Sequence, residues 1–254
     1  MTNESTGRRI RGVRIAFSVV ELLQREGTTG VTAIAEDLGH SKSTIHSHLQ
    51  TLEDERIVVA EDDGYRLSLT FLAIARNVRD QIGNYDDIES EVTDLAAETG
   101  ELVQFGIEEY EQVTYLCKAS GEKAVETASR IGTRQPLHST ALGKTILAHR
   151  PEERRERIVG TIDLEERTEH TITDRDDFRE GLETIADRGY GIDDEENIEG
   201  LRCIAAPVLN GSTVLGAISV SGPASRISDE RLHDDLAERV QRAANVIELN
   251  TKFR

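Results

Sequence analysis

The sequence predicts two joined folds: an N-terminal winged helix-turn-helix, mostly α with a β-hairpin wing, and a C-terminal α+β domain built on an antiparallel sheet. Three observations predict this. Residues 1–69 carry helical patterns separated by glycine turns, then two short apolar runs around Asp63-Gly64. Residues 85–254 alternate strand and helix patterns, with successive strands joined through turn residues, as in an α+β domain. Between them, residues 70–84 hold a single helical stretch with a narrow apolar stripe.

In the first segment, Ile15, Val19, Leu22 and Leu23 share one face of a helix over Gly12 to Arg25, which Gly27 ends. Thr32 is placed to cap a short helix, Ala33 to Leu38, stopped by Gly39. Ser41 caps a third helix, SKSTIHSHLQTLEDE, with Ile45, Leu49 and Leu52 as its buried stripe. The run IVVAEDDGYRLS then reads as a hairpin turning at Asp63-Gly64. In such a winged helix the third helix enters the DNA major groove. Its exposed face would carry Lys42, Ser43, Thr44, His46, Ser47 and Gln50, and Arg8, Arg9, Arg11 and Arg14 stand ready for phosphates. A three-helix protein-interaction domain has the same shape and stays open as an alternative.

The linker stripe of Phe71, Ala75, Val78 and Ile82 is too narrow to be buried by one helix alone. It is expected to pack on a partner chain, or else to fold back on its own domain. Beyond it, DDIESEVTDLAAETG is helical to Gly100, and LVQFGIEE and QVTYLCKAS are strands. His138 to His149 and DRDDFREGLETIADRG are helices. YGIDD, LRCIAAPVL and TVLGAISVSG are strands, the last two joined through Asn210-Gly211. Ser228 caps a final helix with Leu232, Leu236, Val240 and Val246 on one face.

The chain has 254 residues with 48 acidic and 30 basic side chains, a net charge of −18, and only five of the basic residues are lysine. That balance suits high salt, where self-repulsion is screened and an acidic surface stays hydrated; an ordinary acidic cytosolic protein is the alternative. Residues 1–70 hold 8 basic and 11 acidic side chains, so the segment that would meet DNA is less acidic per residue than the rest. The wing tip Glu61-Asp62-Asp63 is wrong for phosphate contact and is expected to turn away from the backbone or to work with bound cations. No apolar run is long enough to cross a membrane, and MTNESTGRRIRG lacks the apolar core of a signal peptide. Cys117 and Cys203 lie far apart with no CxxC, which indicates a cytoplasmic, reduced protein. No spacing of His, Cys and carboxylates suggests a metal, and no cofactor is implied; His46 and His48 stand two apart on a helix and face different sides.

The stretch PLHSTALGKTILA contains Gly143-Lys144-Thr145, the tail of a phosphate-binding loop. The loop needs a glycine where His138 stands, and an apolar strand where Thr133-Arg134-Gln135-Pro136 stands. It is therefore not a nucleotide site.

Three stretches carry a family resemblance. SKSTIHSHLQTLED, RIGTRQPLHSTALGKTILA and RGYGIDDEENIEGLRCIAAPVLNGSTVLGAISVSGP resemble the recognition helix, the central segment and the C-terminal signature of the IclR family of transcriptional regulators. The acidic chain is similar to a haloarchaeal-type member along nearly its whole length. The resemblance implies a C-terminal effector domain of GAF-like fold, assembly as a homodimer or a dimer of dimers, and binding to double-stranded operator DNA near catabolic genes. It implies no catalytic residues. It also implies a small polar effector, a sugar, sugar acid or organic acid. Thr140, Ala141, Leu142 and Gly143 would offer the start of a helix to an anionic or carbonyl oxygen. Carried over by motif, Asp193, Cys203, Ser219 and Ser221 complete that pocket, with the two serines on the same side of a strand. Cys203 has a second reading as a small buried hydrophobe, and His138 reads as a structural histidine rather than a ligand contact. The chain departs from the family at Ser47, where many relatives carry arginine, at Arg56, where glycine is common, and in its acidic wing. An enzyme using Asp193, Cys203, Ser219 and His138 is a second reading, although no G-x-S-x-G elbow is present. A thiol sensor through Cys117 and Cys203 is a third.

Overall fold

The computed structural model describes residues 9–252, which fall into two compact units divided between Gly83 and Asn84. In the first unit, α1 (Arg11–Glu26), α2 (Val31–Asp37) and α3 (Lys42–Asp54) enclose Ile15, Val19, Leu22, Leu23, Ile34, Ala35, Ile45 and Leu49. Val58, from strand β1 (Val58–Glu61), joins this core, and β1 pairs antiparallel with β2 (Gly64–Leu67). Leu52 is only half-buried but packs on the same core.

Two local expectations are corrected. The cap of α2 is Gly30, not Thr32, which lies inside the helix. Thr29 exchanges both backbone hydrogen bonds with Tyr65 at 3.0 Å, so pairing with the wing fixes where the chain can enter the helix. The same pairing explains the wing. Glu61 pairs with Gly64, so Asp62-Asp63 form the turn, not Asp63-Gly64. Gly64 is needed because a Cβ there would stand 2.5 Å from the Thr29 carbonyl.

The end of α3 is a left-handed cap. Ile57 N–H donates to Leu52 O at 2.7 Å and Arg56 N–H to Glu53 O at 2.8 Å, with Arg56 at φ 59°. That is the Schellman pattern, normally built on glycine. Helix α4 (Thr70–Asp80) buries none of its residues. Leu72, Ile74 and Val78 are exposed on it, as are Ile10, Val13 and Phe17 on and just before α1. Among the described residues of the first unit it does not fold back to hide Leu72, Ile74 and Val78.

The second unit opens with α5 (Tyr85–Thr99), closed by Gly100 in the left-handed region. Six strands follow: β3 (Leu102–Glu109), β4 (Gln112–Ser120), β5 (Arg134–Pro136), β6 (Gly191–Asp194), β7 (Leu201–Asn210) and β8 (Thr213–Pro223). They form one antiparallel sheet in the order β5-β4-β3-β8-β7-β6. The β7–β8 turn is Gly211-Ser212, since Asn210 pairs with Thr213. Edge strand β5 is not among the strands expected from the sequence; Pro136 ends it, and an edge strand tolerates the missing N–H.

Helices α6 (Ala141–Ala148) and α8 (Arg175–Arg188) cover the sheet face that carries Cys203, Ala205 and Ala217, together with α7 (Glu152–Thr161), also not anticipated. α5 and α9 (Ala237–Lys252) pack on each other and on the sheet. Ser228 caps the start of the last helical stretch, accepting from Arg231 N at 3.3 Å, and a π-helical segment Arg231–Leu236 leads into α9. Ile247, not Val246, completes the buried stripe after Val240, because seven residues return to the same helix face and six do not.

Candidate functional site: a recognition helix and a polar cavity

The α3 helix is held by its first turn. Ser41 Oγ accepts from Thr44 N at 3.1 Å and lies 2.8 Å from Thr44 Oγ1. Lys42, Ser43, His46, Ser47 and Gln50 are exposed on the side away from Ile45 and Leu49. Thr44 is half-buried, and Ser47 Oγ donates to Ser43 O at 3.0 Å, so these two hydroxyls already have local partners. His48 turns inward to Thr44 O at 2.8 Å. Arg9 and Arg11 are exposed at the start of α1, and Arg8 lies outside the described residues. In the wing, Arg66 pairs with Glu61 at 2.5 Å and holds its carboxyl below the usual range, which offsets one of the tip charges.

In the second unit the sheet register brings the polar residues together. Asp193 on β6 stands opposite Cys203 on β7, which stands opposite Ser221 on β8. Two residues along, Ser219 faces Gln104 on β3. All point to the face that α6 crosses, because residues two apart share a side. Gly191 lets α6 lie close, since a Cβ there would meet Thr145 Oγ1 at 2.3 Å. Between helix and sheet lies a cavity of about 170 Å³, lined by Thr140, Ala141, Leu142, Asp193, Cys203, Ser219 and Ser221. Holding one water needs only ~10–15 Å³ by the same measure, so a small organic molecule has room.

Helix α6 begins at Ala141 rather than His138, because Thr140 is its cap; Thr140 Oγ1 accepts from Gly143 N at 3.1 Å. Gly143 is therefore not a wall of the cavity. Its amide is occupied, and its missing side chain admits the Leu137 backbone, 2.5 Å from where a Cβ would stand. Ala141 and Leu142 hold the first-turn positions whose N–H groups a helix leaves for an outside acceptor. His138 is buried elsewhere, its Nε2 2.9 Å from Glu165 O, and does not line the cavity.

Asp193 is almost fully buried. Its Oδ1 accepts from Glu196 N at 2.8 Å and Asn197 N at 3.2 Å. Burial pushes its carboxyl up to about 7, the nearby Lys144 ammonium pulling the other way. Burial, with Asp193 alongside, pushes the Cys203 thiol well above its ordinary value, so it stays a neutral thiol. Cys117 is buried as well. Redox sensing favours exposed, low-pKa thiols, the opposite setting.

The sequence reading missed several members. Lys144 and Glu196 form a buried ion pair beside Asp193, and Ser139 Oγ donates to Asn197 Oδ1 at 3.0 Å. Gln104, Tyr115, Thr127, Ser129, Thr133 and Gln135 also line the cavity. One signal was available: Gln104 interrupts the apolar strand LVQFGIEE at a position that faces inward.

A winged helix and a cavity-bearing α+β domain on one chain define a DNA-binding regulator. Residues 12–62 match the IclR helix-turn-helix domain, and residues 85–249 match the bacterial transcriptional regulator IclR C-terminal domain. The chain is 32% identical to the HTH-type transcriptional regulator KdgR of Dickeya chrysanthemi, covering 93% of this chain and 79% of that one. It is also 32% identical to the probable HTH-type transcriptional regulator ArcR of Halobacterium salinarum, covering 97% and 96%. An IclR homolog from Microbacterium hydrocarbonoxydans, solved in complex with 4-hydroxybenzoate, has the same fold, with a TM-score of 0.83 at 22% identity over 96% of this chain and 100% of that one. The chain belongs to the IclR family of transcriptional regulators, which are not enzymes. No described helix is long and apolar enough to cross a membrane.

Proposed function

We propose that this protein is an effector-responsive regulator of catabolic genes. Residues 1–69 would bind operator DNA, 70–84 form a linker that helps dimerise the chain, and 85–254 bind a small polar metabolite. The observation that carries the reading is the cavity lined by Asp193, Cys203, Ser219 and Ser221 together with the first turn of α6. Helix-start N–H groups and two serine hydroxyls suit an organic acid, a sugar or a sugar acid. The 4-hydroxybenzoate complex of a protein with this fold supports an acid.

Lys42, Ser43, His46 and Ser47 would read base edges and phosphates, with Thr44 setting the helix start and Arg8, Arg9 and Arg11 on the backbone. The exposed apolar residues of α1 and α4 favour a homodimer, itself able to pair into a tetramer, on a symmetric operator. Effector acts by favouring one dimer arrangement over another, which requires different affinity for the two.

The test is fluorescence anisotropy on DNA from upstream of the chain's own gene, in molar salt, with and without candidate acids and sugars. Specific binding that shifts on adding one ligand class, and no longer shifts in Ser221→Ala, is the expected result. Equal affinity for unrelated DNA under all conditions would sink the reading.

A further inference from the structure

A second cavity, of about 410 Å³, lies at the β6 edge of the C-terminal sheet. Residues alternate along β6: Asp193 lines the cavity under α6, whereas Ile192 and Asp194 line the second one. Helix α8 contributes Phe178, Gly181, Ile185 and Arg188, and the buried Lys144–Glu196 pair lines it too. Gly181 sits in the middle of α8, where glycine lowers helix stability relative to alanine. Its backbone is not left-handed, and a Cβ there would meet nothing within 4 Å. Neither conformation nor close packing requires this glycine; its effect is to leave room in the cavity.

Arg188 is held from behind. Its Nε donates to Tyr190 O at 2.6 Å, its Cζ stacks 4.7 Å from the centroid of the Tyr190 ring, and Tyr190 Oη lies 3.0 Å from His233 Nδ1. Among the described residues its two terminal nitrogens have no hydrogen-bond partner, while every other partly buried arginine is ion-paired with a carboxylate. With 48 acidic side chains in the sequence, partners are not scarce, so the open fork is a property of this site. Glu196 is the converse: Oε1 accepts from Lys144, and the buried Oε2 has no hydrogen-bond partner among the described residues. A buried acceptor left unpaired is costly. Burial lowers the Arg188 pKa, and the charges of Tyr190 and Glu196 oppose it, so Arg188 and Glu196 feel each other without pairing.

We propose that this cavity is a second ligand site, separate from the one under α6, and that it takes an α-amino acid with an aliphatic side chain. The carboxylate lies on the Arg188 fork, whose planar geometry suits two parallel bonds to a carboxylate. The ammonium lies on Glu196 Oε2, and the side chain packs against Ile172, Ile185 and Ile192 in the room that Gly181 leaves. The charge balance selects the zwitterion. Lys144, Arg188 and Arg202 are matched by Glu196, Asp194 and Asp229, all of which line the cavity, so a simple anion or a simple cation would leave one charge uncompensated. A zwitterion adds no net charge and satisfies both open groups. Arg188 and Glu196 are thus the binding residues for the two charged ends, and Gly181 sets the space for the apolar one.

Isothermal titration of the full chain at pH 7 in molar salt tests this with three probes: leucine, 4-methylpentanoate, which lacks the amine, and isopentylamine, which lacks the carboxylate. Gly181→Leu should abolish leucine binding, because the new side chain fills the cavity. It should melt no lower than the parent, because leucine suits a helix interior better than glycine. Binding that this variant removes is binding at this site, and there leucine is expected to be roughly tenfold or more tighter than either other probe. Arg188→Gln should weaken leucine by roughly tenfold or more, and Ser221→Ala, which alters the other cavity, should leave it within about twofold. The proposal falls if, at this site, 4-methylpentanoate or isopentylamine matches leucine, since one charge would then suffice, or if Arg188→Gln binds leucine unchanged. It falls if Gly181→Leu binds leucine as the parent does; loss in Ser221→Ala would then place the leucine under α6 and leave the effector reading intact. It falls as well if leucine does not bind, an outcome that leaves the operator and effector test untouched.

Discussion

Replacing Asp193 with asparagine should make the protein more stable at pH 8 and leave it nearly unchanged at pH 4. The unfolded chain releases this proton near the ordinary aspartate value of 3.8, whereas the folded protein holds it to about 7. Between those values the folded state binds more protons than the unfolded one, so stability falls as pH rises. The contribution is complete below the unfolded value and is lost as pH passes through the folded one. At 1.36 kcal/mol for each pH interval of one, the loss on passing from 3.8 to about 7 amounts to about 4 kcal/mol, constant above. Asparagine avoids that cost and keeps an oxygen to accept from the Glu196 and Asn197 amides, now 2.8 and 3.2 Å from Oδ1. It forfeits the attraction between an ionised Asp193 and Lys144, so a net gain of roughly 1–3 kcal/mol at pH 8 is the expectation. Urea denaturation of both proteins at pH 4, 6 and 8, in one high-salt buffer, measures the difference. A gap that stays constant with pH would show that Asp193 does not titrate in the folded cavity. A variant weaker than the parent at pH 8 would show that the carboxylate is stabilised there, and the argument from burial would be wrong.

Four other outcomes follow from particular contacts. Arg56→Gly should stabilise the N-terminal unit by about 0.5–1 kcal/mol in chemical denaturation, because Arg56 holds a left-handed cap with φ 59° that glycine adopts without strain. Glu101 is fully buried and receives Arg226 at 2.6 Å and Arg231 at 3.0 Å, so Glu101→Ala should cost about 2–3 kcal/mol in urea melts, short of the full penalty because both arginines reach solvent. Lys42→Ala should weaken binding to specific and unrelated DNA alike and reduce the salt slope by about 1, read by anisotropy at several salt concentrations. Phe17→Asp with Leu72→Asp, both exposed in the single chain, should shift the protein toward monomer in analytical ultracentrifugation, and an unchanged mass would remove α1 and α4 from the interface.

What could be read from the sequence was local. The α1 stripe, the Ser41 cap and the strands LVQFGIEE and QVTYLCKAS follow from periodicity and capping that involve neighbouring residues only, and they stand as expected. The α2 cap and the wing turn did not, because Thr29–Tyr65 pairing joins segments far apart in the chain and overrides the local preference of Thr32 and Asp63-Gly64. Strand β5 is too short to show a period, and α7, EERRERIVGT, is almost wholly polar in its first half. In the cavity, Asp193, Cys203, Ser219 and Ser221 were reached through motif resemblance, whereas Gln104, Ser129 and the Lys144–Glu196 pair depend on strand register and on partners dozens of residues away. Gly143 was misread because a glycine at a helix start signals either a ligand or a backbone passing close by, and only the Leu137 contact decides between them.

The central pairing of the sheet carries a kinetic consequence. Strand β3 pairs with β8, so Gln104 and Ser219 meet although 115 residues separate them. As the chain emerges during synthesis, β3 and β4 can form their hairpin early, but the floor of the cavity cannot exist until the last strand arrives. Closing so long a loop is slow, and the ordering entropy is spent before any of the central contacts form. A ligand of this cavity would therefore find nothing to hold until the domain is complete. Bound there, it would stabilise the central sheet, because its contacts would bridge strands that lie far apart in the chain.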